Sequence, residues 1–238
     1  MKLHTARNFY FRILPKLLVF VGFIFLVLSF GPLIISEIWY YTKEWRGQEY
    51  VLDLGDFSKG SEHTVPTALT DSPFARFLST KPVILAPKDK EFSIVIEKIG
   101  VNAPIVADVS VTDEEAYVTA LKSGIAHSVT SNYPSEMPGN TYLFAHASLN
   151  FFQLGKYSTV FNLLRKLDAG DKIHIFYDNK IFEYHVVNKE VYKGWDTYPI
   201  TRPVIEPILT LQTCDPPGTT INRMVVTAKL YKVYNQLD

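Results

Sequence analysis

Residues 17–35 carry no charge over nineteen positions, and this run limits what the chain can fold into more sharply than any other. As a helix it spans about 28 Å at ~1.5 Å per residue, close to the ~30 Å hydrocarbon core of a bilayer. It is apolar on every face, whereas a helix packed on a soluble core needs only one apolar stripe. Trp39, Tyr40, Tyr41 and Trp45 follow it and suit the membrane–water interface. Lys2, Arg7, Arg12 and Lys16 precede it with no acidic residue, which predicts a cytoplasmic tail (1–16), an anchor (17–39) and the bulk of the chain outside. A cleaved signal peptide is the competing reading. Its apolar core is usually shorter, and no small-x-small cleavage site precedes Trp39.

The formal net charge of zero hides an asymmetry. Residues 1–36 carry +4, leaving 20 basic against 24 acidic residues in the remainder. That balance argues against a nucleic-acid surface on the large part. A lone cysteine, Cys214, cannot form an internal disulfide. Residues 40–90 are broken by Gly55, Gly60, Pro66, Pro73, Pro82 and Pro87 and are expected to form an extracytoplasmic stalk, with 48–54 and 74–78 folding locally.

From Glu91 the pattern changes. Phe92-Ser93-Ile94-Val95-Ile96 and Pro104-Ile105-Val106 are predicted strands joined across Gly100-Val101-Asn102. Residues 113–121 form a short helix capped by Thr112 or Asp113. A loop covers 123–139, a strand runs from Thr141 to Ala145, and 160–167 is predicted helical. Residues 172–177 and 181–191 alternate apolar and polar side chains around Asp178-Asn179-Lys180, as a hairpin does. A loop is expected over 195–203. The last two strands flank Cys214 and Arg223. Seven or eight strands with only short helices between them predict a mainly β domain over 91–238, a closed or nearly closed barrel.

Cys214 ends the apolar run Pro207-Ile208-Leu209-Thr210-Leu211-Gln212-Thr213 and precedes the abrupt loop Asp215-Pro216-Pro217-Gly218. Considered alone it could be a buried structural thiol. A reactive thiolate needs a positive neighbour and a proton acceptor. Arg223, at the start of the next strand, can supply the charge, and otherwise it is a salt-bridged surface residue. Of six histidines, His4 and His63 fall in the tail and the stalk, and His174 and His185 lie within strands. His127 and His146 remain as acceptors, and His146 ends an apolar strand as Cys214 does. A metal held by His127, His146 and Cys214 is a rival without the usual ligand spacings.

Thr210-Leu211-Gln212-Thr213-Cys214, the arginine nine residues on in Arg223-Met224-Val225-Val226, and the upstream Ala145-His146-Ala147-Ser148 together resemble the sortase family of membrane-anchored cysteine transpeptidases. The likeness runs from about Glu91 onward. It implies a sortase-like, eight-stranded barrel and a site made of His146, Cys214 and Arg223, with no cofactor and no metal. Cys214 would attack a peptide carbonyl in a Leu-Pro-x-Thr-Gly-like sorting motif near the C-terminus of a secreted protein. His146 would protonate the departing amine, and Arg223 would hold the substrate and the oxyanion, with the Asp215 amide as a possible second donor. A thioester would then pass to an amine on a cell-wall precursor or a protein lysine. The same resemblance places His127 near the site without a chemical step, and 193–206 as a specificity loop with Trp195 and Tyr198. Asp71-Ser72-Pro73-Phe74 resembles the lid of pilus-building members only faintly and is expected to be a turn. A peptidase using water and a non-enzymatic binding module are the alternatives.

Overall fold

In the computed structural model, which describes residues 2–52, 82–147 and 157–235, the N-terminal apolar run lies in one long helix, α1 (Lys2–Trp45). The helix is bent by 55° between Leu14–Leu28 and Leu33–Trp45. Pro32 falls between the two halves, and a proline inside a helix removes an amide donor and crowds the preceding turn. Among the described residues no single helix is long and apolar enough to cross a membrane, while the two bent halves together meet that condition by length and composition. Leu18, Val19, Phe20, Phe23 and Phe25 all stand more than half exposed.

Two short parallel strands follow, β1 (Tyr50–Leu52) and β2 (Val83–Leu85). Leu52 is buried against Val95, Phe176 and Ile181. Gly100 holds φ at 65°, and a Cβ there would meet the Tyr50 ring at 2.7 Å; glycine permits both the backbone angle and the close approach. The middle of the expected stalk, with Asp71-Ser72-Pro73-Phe74 and 74–78, lies outside the described residues, as does Ser148.

The rest of the chain runs β3 (Phe92–Ile96), β4 (Val101–Val109), α2 (Glu114–Ser123), β5 (Ile125–Ser128), β6 (Gly139–Phe144), β7 (Lys172–Tyr177), β8 (Lys180–Lys193), α3 (Tyr198–Thr201), β9 (Pro207–Asp215) and β10 (Asn222–Asn235). Strands β3 to β10 close a barrel in the order β10-β8-β7-β3-β4-β5-β6-β9, and β9 returns to β10. The β4–β5 and β6–β9 pairs are parallel and the others antiparallel. Along β4, Val101, Ala103 and Ile105 are buried while Asn102, Pro104 and Val106 are half exposed, the period of two that a strand imposes. Ile94, Leu143, Leu209, Leu211 and Val226 fill the interior with no exposed surface. Asp178 and Asn179 take φ of 50° and 56°, the paired left-handed geometry of a two-residue hairpin turn.

Four predicted elements change. The turn expected across Gly100-Val101-Asn102 falls at 97–100, because Val101 and Asn102 already pair with Ile96 and Val95. The helix expected over 160–167 is a series of turns ending in one 3-10 turn, Leu164–Lys166. Its buried apolar residues are Phe161, Leu164 and Leu167, a spacing of three that matches a 3-10 turn better than an α-helix. The loop expected over 123–139 contains β5, whose four residues are all buried. It is too short to announce itself by periodicity and is held by β4 and β6. The loop expected over 195–203 contains the single turn α3, with Pro199 near its start, where the missing amide costs nothing. Of the two proposed caps for α2, Asp113 serves, its carboxylate accepting from the Ala116 amide at 3.0 Å.

Candidate active site

The site is built from three neighbouring strands. β9 carries Cys214 near its end, and β10 runs back antiparallel with Arg223 directly opposite Cys214. Residues directly opposite in an antiparallel pair project to the same side of the sheet. The pairing therefore brings guanidinium to sulfur: Arg223 Nη1 lies 3.6 Å from Cys214 Sγ and also donates to the Asn222 carbonyl at 3.2 Å. Cys214 is a free thiol, half-buried. A thiolate formed here has its counter-charge in contact, and the same nitrogen is held by the Asn222 carbonyl.

β6 lies on the other side of β9 and runs parallel to it, with Phe144 opposite Gln212. Continued by two residues, that register sets His146 beside Cys214. The continuation is stitched in place. The Ala145 amide donates to the Gln212 carbonyl at 3.1 Å, and the Gly218 amide donates to the Ala147 carbonyl at 2.6 Å. Thr213 Oγ1 donates to the Ala145 carbonyl at 2.9 Å. So imidazole, thiol and guanidinium come from the like ends of three adjacent strands.

Regular alternation turns Leu209 and Leu211 into the barrel and places Cys214 with Thr210 and Gln212 on the outer face. Tyr142 and Phe144 of β6 form the adjoining surface, and α2 covers it with Ala120, Leu121 and Tyr117, joined by Ile200 of α3. The Tyr117 ring stacks on Phe144 at 5.6 Å and meets the His146 ring edge-on at 5.8 Å. His146 Nε2 is buried and has no hydrogen-bond partner. Burial holds the His146 imidazole below the usual histidine range. Burial also pushes the Tyr117 phenol up, and the nearby sulfur of Cys214 adds to the effect.

Sequence reasoning did not find Tyr117, Asn140 or Arg202. Arg202 Nη2 donates to Thr210 Oγ1 at 3.0 Å and to Thr227 Oγ1 at 2.8 Å. Thr210 Oγ1 in turn donates to Asn140 Oδ1 at 2.7 Å, and Asn140 Nδ2 donates to the Pro199 carbonyl at 3.1 Å. This chain of bonds ties the 193–206 segment to the barrel wall that carries Cys214. For Tyr117 a signal existed, since it lies three and four residues before the buried Ala120 and Leu121 on one face of α2. No local pattern marked Arg202.

Three other histidines, His127, His174 and His185, lie within barrel strands. His127 is fully buried on β5 rather than in a loop. Its Nε2 meets the Asn132 carbonyl at 3.2 Å and Ser131 Oγ at 3.1 Å, and its ring lies 4.5 Å from that of Tyr133. His185 Nε2 is 2.7 Å from Glu183 Oε1 and stacks on Tyr231 at 4.1 Å. His174 is buried with its Nε2 3.8 Å from Glu183 Oε2. Among the described residues no group of three or more histidine, cysteine or acidic side chains is arranged to hold a metal ion. Trp195 and Tyr198 are 82% and 54% exposed, so packing in the barrel core does not account for them.

The model of the sortase domain matches residues 94–231, more than half of the chain. No curated protein sequence matches. Among solved structures, sortase C-1 from Actinomyces oris (formerly Actinomyces naeslundii) is similar at 26% identity, over 61% of this chain and 76% of that one, with a TM-score of 0.51. Sortase A from Listeria monocytogenes is similar at 21% identity, over 62% and 90%, with a TM-score of 0.50. Sortase E1 from Streptomyces coelicolor, solved with a tripeptide in the active site, is similar at 20% identity, over 63% and 94%, with a TM-score of 0.51. The latter two speak to the fold alone.

Proposed function

The chain belongs to the sortase family and is a cysteine transpeptidase; from that premise we propose that Cys214, His146 and Arg223 carry its chemistry. The observation that supports this assignment best is the register of β6, β9 and β10, which gathers the three side chains from separate parts of the sequence. Cys214 thiolate attacks the carbonyl of a sorting motif of the Leu-Pro-x-Thr-Gly kind near the C-terminus of a secreted protein. The carbon–sulfur bond forms as the peptide carbon–nitrogen bond breaks. His146 gives a proton to the leaving amine from the minor imidazolium fraction, since burial favours its neutral ring. The developing oxyanion falls to Arg223 and to the Asp215 amide. The thioester is then attacked by an amine on a cell-wall precursor or a protein lysine, and His146 takes the proton back.

The anchor reading completes the proposal. Residues 1–16 lie in the cytoplasm, 17–39 cross the bilayer once, 40–90 join that span to the barrel and 91–238 form the catalytic barrel outside. Support comes from the exposed apolar surface of α1, from the bent pair of helical halves, and from the acid-free basic tail before it. An enzyme held there meets substrates as they emerge from the membrane.

The test is cleavage of Leu-Pro-x-Thr-Gly peptides with and without added triglycine. Ligation that depends on the amine is expected, with slow hydrolysis in its absence. Cys214→Ala and His146→Ala abolish turnover, and Arg223→Ala lowers it by about 10²–10³. Unchanged cleavage in all three variants sinks the assignment, and hydrolysis indifferent to the amine favours a peptidase.

A further inference from the structure

Glu37 is the first acidic residue of the chain and stands near the outer end of the proposed membrane span. An ionisable group in such a place is costly unless a partner meets it. Its partners come from the barrel. Its carboxylate accepts from Arg165 Nη2 and lies 3.0 Å from Lys166 Nζ. Lys166 Nζ also donates to the Tyr41 hydroxyl at 2.8 Å. Tyr40 of the same helix is 6% exposed and belongs to the main core cluster, and Lys43 Nζ donates to the Lys98 carbonyl at 2.7 Å. The side chains of Glu37, Arg165 and Lys166 are 22%, 33% and 18% exposed, so solvent screens these pairs less than it screens surface ones. The end of α1 is thus packed onto the barrel rather than tethered to it.

The same Arg165 also lies near Cys214. Together with Ala147, Phe161, Asn162 and Met224 it lines a small crevice that opens beside Cys214. The segment that carries it is a run of turns, held by backbone bonds such as Asn162 N to Thr159 O and Lys166 N to Leu163 O. Phe161, Leu164 and Leu167 seat its inner side in the core. A carboxylate gripping two successive cations near the end of the run adds a hold on its outer side.

We propose that Glu37 is a positioning residue for the transpeptidase. By pairing with Arg165 and Lys166 it fixes the 157–166 segment as one wall of the Cys214 crevice and joins anchor helix and site into one body. This rests on the assignment of Cys214 as nucleophile.

The experiment uses the full chain in detergent and in anionic and neutral vesicles. Glu37→Gln is expected to raise the KM for a Leu-Pro-x-Thr-Gly peptide by about threefold or more while kcat stays within about twofold. Arg165→Glu does the same, and the exchanged pair Glu37→Arg with Arg165→Glu recovers the parent KM. Amide hydrogen exchange at 160–166 is faster in Glu37→Gln and is restored in the exchanged pair. An unchanged KM and unchanged exchange in Glu37→Gln overturn the proposal, as does an exchanged pair no better than either single variant. Because hydrogen exchange needs no substrate, it still decides the matter if the parent chain cleaves none of the peptides, an outcome that would count against the transpeptidase assignment instead.

Discussion

At the scale of single residues the site depends on contacts that a change of one group should disturb in a known direction. Arg223 bridges Cys214 Sγ and the Asn222 carbonyl through one nitrogen, leaving the rest of its fork for substrate. Lysine keeps the charge but not the fork, so Arg223→Lys is expected to retain only about a hundredth of the parent kcat/KM, within the range for losing an oxyanion donor. Retention of most of the activity would mean that charge alone suffices. His146 offers a second check. Burial depresses its imidazole, and the Tyr117 ring supplies part of that cover. In Tyr117→Ala the ring gains water, and the His146 titration followed by NMR should rise toward about 6.5; an unmoved titration would show that Tyr117 is not the cover. Cys214 and Arg223 were legible in the sequence because consecutive strands joined by a short loop bring their ends together. His146 was legible because its strand stops at it. Tyr117 and Arg202 were not, since each meets the site only after distant strands have paired.

At the scale of elements the least regular piece bears much of the site. The 193–206 segment holds only one helical turn, α3, yet the bonds from Arg202 to Thr210 and Thr227 fasten it to β9 and β10. Arg202→Met removes those bonds and leaves two hydroxyls without their donor. A loss of about 1–3 kcal/mol in urea unfolding is expected, with faster amide exchange confined to 194–206. A variant as stable as the parent, with 194–206 unchanged, would deny that network its role. The strands were legible because their apolar residues alternate over long stretches, as in β4 and in the β7–β8 hairpin. β5 was not, because four residues hold too few alternations, and the 157–166 segment was not, because a period of three and one of 3.6 differ little over two turns. The bend in α1 was foreshadowed only by Pro32, which a membrane helix also tolerates.

For the whole molecule, buried titratable groups set how the fold responds to acid. His127, His146 and His174 are all held below the usual histidine range, in each case chiefly by burial. Their folded forms favour the neutral ring, so the stability they contribute is present above the unfolded value of about 6.5 and is lost as pH falls below it. Glu183 acts lower on the scale. Burial alone would raise it, but the hydrogen bonds from Tyr234 and His185 and the charge of Lys172 outweigh burial and bring it down to about 2. Its contribution is present above the unfolded value of about 4.3 and is lost between there and about 2. Urea midpoints in detergent should therefore fall in two stages, one below about pH 6.5 and one below about pH 4.3, and His127→Gln should shrink the first. A midpoint that stays level from pH 8 to pH 5 would refute the first stage.

The ring closes through β10, which is hydrogen-bonded to β8 on one side and to β9 on the other. A finished copy therefore offers its neighbours no free strand in the barrel to extend. A chain nicked or stalled before Asn222 has two raw seams instead of none, and it carries its sulfur without the guanidinium opposite. Such a fragment is at once sticky and inert, so reactivity and solubility are switched on together, by the arrival of a single strand.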